Sequence, residues 1–126
     1  MTPVNDVRAH DPHVEKAIEA MRREPARRWT VAALARVGGL SRAPFARRFR
    51  RATGTSPLRW LARLRLDLAR AFVVGGERSL AEIAPLVGYT TEFALSKAFK
   101  RMYGIAPRVY RRRLVAVHRT AIRAAA

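Results

Sequence analysis

Residues 79–107 read SLAEIAPLVGYTTEFALSKAFKRMYGIAP, and this punctuation predicts two short helices around a tight turn, with a third helix starting at Pro107. Ser79 and Glu82 have the spacing of a capping box, which marks a helix start. Leu80, Ile83, Ala84 and Val87 then fall on one apolar helical face. Gly88 suits the left-handed backbone of a sharp helix stop. Thr91 can cap a second helix whose inward stripe is Leu95, Phe99 and Met102. Gly104 ends that helix, and Pro107 suits the first turn of the next. Two short helices joined by a turn containing glycine form the helix-turn-helix pattern. Pro85 is discordant. It lies well inside the first helix, removes a backbone hydrogen bond, and predicts a bend or an early loosening there.

The same pattern occurs once earlier, in TVAALARVGGLSRAPFARRFRRATGTSP from Thr30 to Pro57. Leu34-Ala35 matches Ile83-Ala84, and Ser41, Phe45, Phe49, Gly54 and Pro57 match Thr91, Leu95, Phe99, Gly104 and Pro107. The offset is 50 residues over the second helix and 49 over the first, so the second turn carries one extra residue. Two copies are too few for a solenoid, which needs three or more. The pattern is a duplicated helix-turn-helix module.

Composition bounds the function. The 126 residues hold 26 Lys+Arg against 9 Asp+Glu, a net charge of +17. Such a charge opposes compaction through self-repulsion and implies a polyanionic partner: DNA, RNA or an anionic membrane surface. Only Lys16, Lys97 and Lys100 are lysines; the other basic residues are arginines, which fork onto phosphate and guanine as lysine cannot. A genome rich in G and C would also favour arginine, but it does not account for the net charge. Asp6, Asp11, Glu15, Glu19 and Glu24 crowd the N-terminal segment, with no acid between Pro25 and Leu66 or after Glu92. The basic excess therefore falls on the two repeats and the C-terminal segment, the footprint of a nucleic-acid binder. The chain has no cysteine, which excludes disulfides and thiolate chemistry. No apolar run approaches the roughly 18 residues of a membrane span. MTPVNDVRAHDPH has no apolar core of a secretory signal, which fits a cytoplasmic location.

In chain order, residues 1–10 show no periodicity and are expected to be mobile. Asp11-Pro12 starts a helix, Val14, Ile18 and Met21 give it an inward face, and Pro25 limits it. His10 and His13 read as solvated surface histidines, since Asp11 is the only further metal-ligand candidate nearby. In the first module Thr30 caps a helix with Val31, Leu34 and Ala35 inward, and Gly38-Gly39 turns the chain. With Phe45, Phe49 and Ala52 on the core side, the opposite face of the next helix holds Ala43, Ala46, Arg47 and Arg50, flanked by Arg42. Small residues there permit close approach, and the arginines can reach base edges or phosphates. On an isolated helix this would be an ordinary solvated basic face; within the module it reads as a DNA contact.

Ser56-Pro57 begins a longer helix to about Val74, with Leu61, Leu64, Leu68 and Phe72 along one side, Trp60 packing beside them, and Arg59, Arg63, Arg65 and Arg70 on other faces. At 1.5 Å per residue it spans roughly 27 Å. That is of the order of one DNA turn, about 34 Å, so it suits two recognition helices in successive major grooves. In the second module the same rotation turns Phe93, Ser96, Lys97 and Lys100 outward, with Glu92 at the flank. Phe93 fits either a thymine methyl group or packing against Tyr89 and the turn. Glu92 fits either a cytosine amino group or, more simply, the positive end of the helix. Beyond Pro107, Arg111, Arg112 and Arg113 are candidates for phosphate contact or for a solvated face, and His118 alone carries no chemistry.

The pattern LA…GLS…F..RF…G.SP..WL…R…A followed by EIA..VGY.T…LSKAFKR..G..P..Y closely resembles the DNA-binding domain of the AraC/XylS family, from Leu34 to about Arg113. Asp11–Thr30 resembles that family's first helix. The stretch HDPHVEKAIEAMRREPARRWTVAALA resembles the subgroup whose full-length members carry an N-terminal cupin-like sensor domain; that domain is expected to be absent from these 126 residues, read either as a free-standing small regulator or as a fragment of a longer protein. The resemblance implies an all-α fold of about seven helices: a first lobe near residues 11–56, a connecting helix near 57–74, a second lobe near 79–113, and an extension over 114–126. It implies a bacterial transcription regulator, often an activator contacting RNA polymerase, on promoter DNA in the nucleoid. Its base-reading positions map onto Ala43, Ala46 and Arg47, and onto Glu92, Phe93, Ser96 and Lys97. As this chain, a monomer without cofactor is expected. The competing reading is a non-specific nucleic-acid-binding or chromosome-packing protein acting through charge alone. A membrane-surface role for the arginine-rich C-terminal helix is weaker. An enzyme is disfavoured, because no paired carboxylates, nucleophile–base set or metal-ligand spacing stands out.

Overall fold

The computed structural model describes residues 10–125, the side chain of His118 excepted. The stretch expected to be mobile lies almost wholly outside them. Seven helices occur among the described residues: α1 Pro12–Arg23, α2 Val31–Gly38, α3 Arg42–Thr53, α4 Pro57–Gly75, α5 Leu80–Val87, α6 Glu92–Tyr103 and α7 Pro107–Ala125. The chain divides into two compact units inside α4, the first ending at Leu64 and the second beginning at Arg65. The duplication extends further than the two-helix motif: α2 and α5 have 8 residues each, α3 and α6 have 12, and α4 and α7 have 19. The residues after Leu114 continue α7.

In the first unit, Val14, Ala17 and Met21 of α1 pack with Leu34 and Ala35 of α2, Phe45, Phe49 and Ala52 of α3, Leu61 of α4 and Trp29. Asp11 caps α1 by accepting from the His13 amide at 3.0 Å, and Thr30 caps α2 by accepting from the Ala33 amide at 3.0 Å. Ser41 stands at the N-cap of α3 in extended conformation but makes no side-chain cap bond. Ile18 is half-buried rather than central; Ala17 takes the inward place.

In the second unit, Leu66, Ala69 and Val73 of α4 pack with Leu80, Ile83, Ala84 and Val87 of α5 and with Leu95 and Phe99 of α6. The capping box of α5 is formed in both directions: the Ser79 amide donates to Glu82 Oε1 at 2.9 Å, and the Glu82 amide donates to Ser79 Oγ at 3.1 Å. The bond from the Ser79 amide holds the Glu82 carboxyl below its ordinary pKa. Thr91 caps α6 by accepting from the Ala94 amide at 3.0 Å. Met102 is half-buried at the margin of the core.

Two sequence expectations are corrected. First, α5 does not loosen at Pro85 but runs to Val87. Proline removes only the bond to the Ala81 carbonyl, and both residues lie on the exposed side, where water can satisfy that oxygen. Second, the buried stripe of α4 is not Leu61, Leu64, Leu68 and Phe72. Leu61 is buried in the first unit, whereas Leu66, Ala69 and Val73 are buried in the second, with Leu64, Leu68 and Phe72 only partly covered. A helix that serves two cores in turn does not keep one phase. The spacing 66, 69, 73 repeats the 14, 17, 21 of α1, so the second half of α4 does for its unit what α1 does for the first.

The two turns are built alike. Gly39 and Gly88 take positive φ (79° and 108°), and the next amides, Leu40 and Tyr89, donate back to Ala35 and Ala84 at 3.0 and 2.8 Å. This is the six-to-one bond of a Schellman stop. Thr90 is the extra residue of the second turn, which accounts for the change of offset.

Candidate nucleic-acid interface

With Phe45 and Phe49 buried, α3 turns Arg42, Ala43, Arg47 and Arg50 to the exterior and leaves Ala46 half-buried between them. An open recess of about 500 Å³ lies beside this face, lined by Thr30, Val31, Ala32, Arg42, Ala43 and Ala46. Arg48, on the same helix, points elsewhere: its Nε donates to Asp11 Oδ2 at 2.8 Å. Burial raises the Asp11 pKa, but the bonds from Arg48 and the His13 amide outweigh it, and the carboxyl lies below its ordinary value. The helix cap of α1 thus also anchors α3.

The second unit repeats the exposure pattern. Phe93, Lys97 and Lys100 are exposed and Ser96 is half-buried, each matching the residue 50 positions earlier. Phe93 is 71% exposed and does not tuck into the turn. Lys97 Nζ stands 5.3 Å from the centre of its ring, a cation–π contact. The match fails only at the flank, where Arg42 is exposed and Glu92 is half-buried. Glu92 Oε2 accepts from Arg108 Nη2, in the first turn of α7, at 2.6 Å.

Arg111, Arg112 and Arg113 separate in the structure. Arg112 and Arg113 are exposed. Arg111 is drawn inward, its Nε donating to the Val73 carbonyl at 3.1 Å and its Nη2 to the Arg78 carbonyl at 2.9 Å. It ties α7 to the end of α4 and the loop after it. His13 is also corrected: it is half-buried, with Nδ1 2.7 Å from the Gly38 carbonyl, and is not a solvated surface residue. Among the described residues no group of three or more His, Cys, Asp or Glu is placed to hold a metal ion, and no helix is long and apolar enough to cross a membrane.

A family profile described as a helix-turn-helix domain matches residues 34–113. The crystal structure of the DNA-binding domain of AdpA, a global transcriptional factor in complex with a target DNA, is 33% identical with a TM-score of 0.76, covering 84% of this chain and 95% of that one. The chain belongs to the AraC-type helix-turn-helix family. That family is one of transcription regulators, not of enzymes. A putative AraC-like transcription regulator of Streptomyces lividans is 46% identical over 102 residues, covering 81% of this chain and 34% of the relative. The RCS-specific activator RclR of Escherichia coli (strain K12) is 39% identical over 103 residues, covering 82% and 36%. The chain spans about a third of the length of these curated relatives. In this AraC-type domain the second helices of the two helix-turn-helix motifs are α3 and α6. Their outward faces were readable from helical phase, whereas the contact of Arg108 with Glu92 was not, because it joins residues 16 apart in sequence.

Proposed function

We propose that this chain reads double-stranded promoter DNA in a sequence-specific manner, placing α3 and α6 as recognition helices in successive major grooves, as part of a bacterial transcription regulator. The observation that carries the reading is the duplicated outward face: exposure matches at 43/93, 46/96, 47/97 and 50/100 on two helices of equal length. Arg42, Ala43, Ala46, Arg47 and Arg50 form the first reading face. Glu92, Phe93, Ser96, Lys97 and Lys100 form the second, and Arg112 and Arg113 hold phosphates. Phe93, exposed and clamped by Lys97, suits a thymine methyl group. The net charge of +17 supplies the sequence-independent part of the affinity.

The proposal extends to activation through contact with RNA polymerase, by a chain monomeric in itself and acting in the nucleoid. The family resemblance and the naming of RclR as an activator support this. The resemblance of the segment around α1 supports the cupin-sensor subgroup. The test is competition between a duplex selected from a randomised pool, random duplex and RNA at fixed salt. The selected duplex is expected to win by about a thousandfold or more, the lower range of specific over non-specific binding. Equal competition by all three would leave charge alone as the binding mode.

A further inference from the structure

We infer that Arg108, which lies outside both recognition helices, sets the base preference of the second one by holding Glu92. The inference rests on the DNA-reading role proposed above. Glu92 is the first residue of α6, next to the exposed Phe93, on the side turned outward. A free carboxylate at such a surface would repel phosphates. Here Arg108 Nη2 lies 2.6 Å from Glu92 Oε2, the short distance of a charge-assisted bond, and neutralises it. The Arg108 side chain is 74% exposed, and exposed pairs contribute little to stability, so the pair is not what holds the fold.

The bond also fixes the carboxylate. Oε2 is taken, and Oε1 has no partner among the described residues. An ionised carboxylate only accepts hydrogen bonds. In the major groove cytosine N4 and adenine N6 offer donors, but adenine sets its N7 acceptor beside N6, and guanine O6 and N7 and thymine O4 are acceptors that would be repelled. A held carboxylate therefore selects cytosine and rejects guanine. In the first unit the corresponding positions, 50 residues earlier, are Arg42 and Leu58, which form no such pair. The two units are thus expected to read different chemistry: arginine forks in the first, and a buttressed acid beside an aromatic ring in the second.

The experiment uses the full chain and a duplex selected by it from a randomised pool, with single-base replacements in the second half-site, titrated at several salt concentrations. Wild type must first separate the selected duplex from random duplex; if it does not, the sequence-reading proposal falls and this inference with it. Arg108→Ala should then lower the cytosine preference at one base pair about tenfold, within the range of a single base contact. Glu92→Gln should lower it at the same base pair. In the Glu92→Gln background, Arg108→Ala should change discrimination no further, since its action runs through Glu92. Arg108→Lys should restore the preference only in part, a point charge without the fork. Unchanged discrimination in Arg108→Ala overturns the inference. A salt slope lower by about one unit would then make Arg108 a phosphate contact, and a lowered melting temperature would make it a structural one.

Discussion

His13 Nδ1 donates to the Gly38 carbonyl at 2.7 Å, and a Cβ built on Gly38 would lie 2.7 Å from the His13 carbonyl oxygen. The two backbones meet where α1 crosses the end of α2, and only glycine fits. In the second unit Arg65 stands in the same relation to its turn. It directly precedes the buried Leu66 as His13 precedes Val14, and its guanidinium lies against Gly88. The turns before α3 and α6 are therefore each gripped from the helix that precedes the helix-turn-helix motif, α1 in the first unit and α4 in the second. Gly38→Ala should destabilise the first unit by about 1–3 kcal/mol, the usual cost of overpacking, measured by urea unfolding. His13→Ala should cost about 1 kcal/mol through the lost hydrogen bond. An unchanged midpoint in Gly38→Ala would mean that the backbones are not in contact.

The aromatic anchors of the two units also correspond. Phe49 meets Trp60 edge-on at 6.3 Å, and Phe99 meets Tyr110 edge-on at 5.5 Å. Phe49 and Phe99 are both fully buried. Phe49→Ala and Phe99→Ala should each cost about 3–5 kcal/mol in their own unit. Trp29 and Trp60 both belong to the first unit, so tryptophan fluorescence should follow the first substitution, and far-UV circular dichroism should follow both. Melts within a degree or two of wild type would place either ring outside its core.

Acid should weaken the first unit through Asp11. Burial raises its pKa, but the bonds from Arg48 and the His13 amide dominate, so the folded value is the lower one. The stabilisation is fully present above the pKa of the unfolded carboxyl. It is lost as pH falls through the folded value. Asp11→Asn retains a good helix cap while removing the charge. Its melting temperature should therefore fall less steeply with acid than that of wild type. Parallel acid limbs would assign the acid loss to other carboxylates.

Much of the fold was legible because its signals are local. The Ser79–Glu82 box, the Thr30 and Thr91 caps and the glycine stops act within a few residues of themselves. The outward faces of α3 and α6 followed from the buried Phe45, Phe49, Leu95 and Phe99 by helical rotation alone. What escaped depends on distant partners. His13 meets Gly38 across 25 residues and Arg111 meets Val73 across 38, and no local pattern encodes either. The burial of α4 escaped for a related reason: Leu64, Leu68 and Phe72 obey helical periodicity, but the helix changes cores at its middle.

Three arginines should give three different signatures. Arg47, exposed beside Ala43 and Ala46, can fork onto guanine, so Arg47→Ala should cost about 1–3 kcal/mol on the preferred duplex and relax one base position. Arg112→Ala should weaken all duplexes alike and lower the salt slope by about one unit. Arg111→Ala should leave the slope unchanged and lower stability by about 1–3 kcal/mol, because two carbonyls lose their donor. Titration at several salt concentrations, with thermal melts alongside, separates the three. Equal weakening of selected and random duplex by Arg47→Ala would make Arg47 a phosphate anchor.

The central claim, that one chain reads DNA with two equivalent helices, is tested most directly by hydroxyl-radical footprinting of the monomer on its selected duplex. Two protected major-groove segments about 10 bp apart are expected. Arg47→Ala should weaken protection of one segment and Lys97→Ala that of the other. A single protected segment per monomer, or the loss of the same segment in both variants, would contradict it.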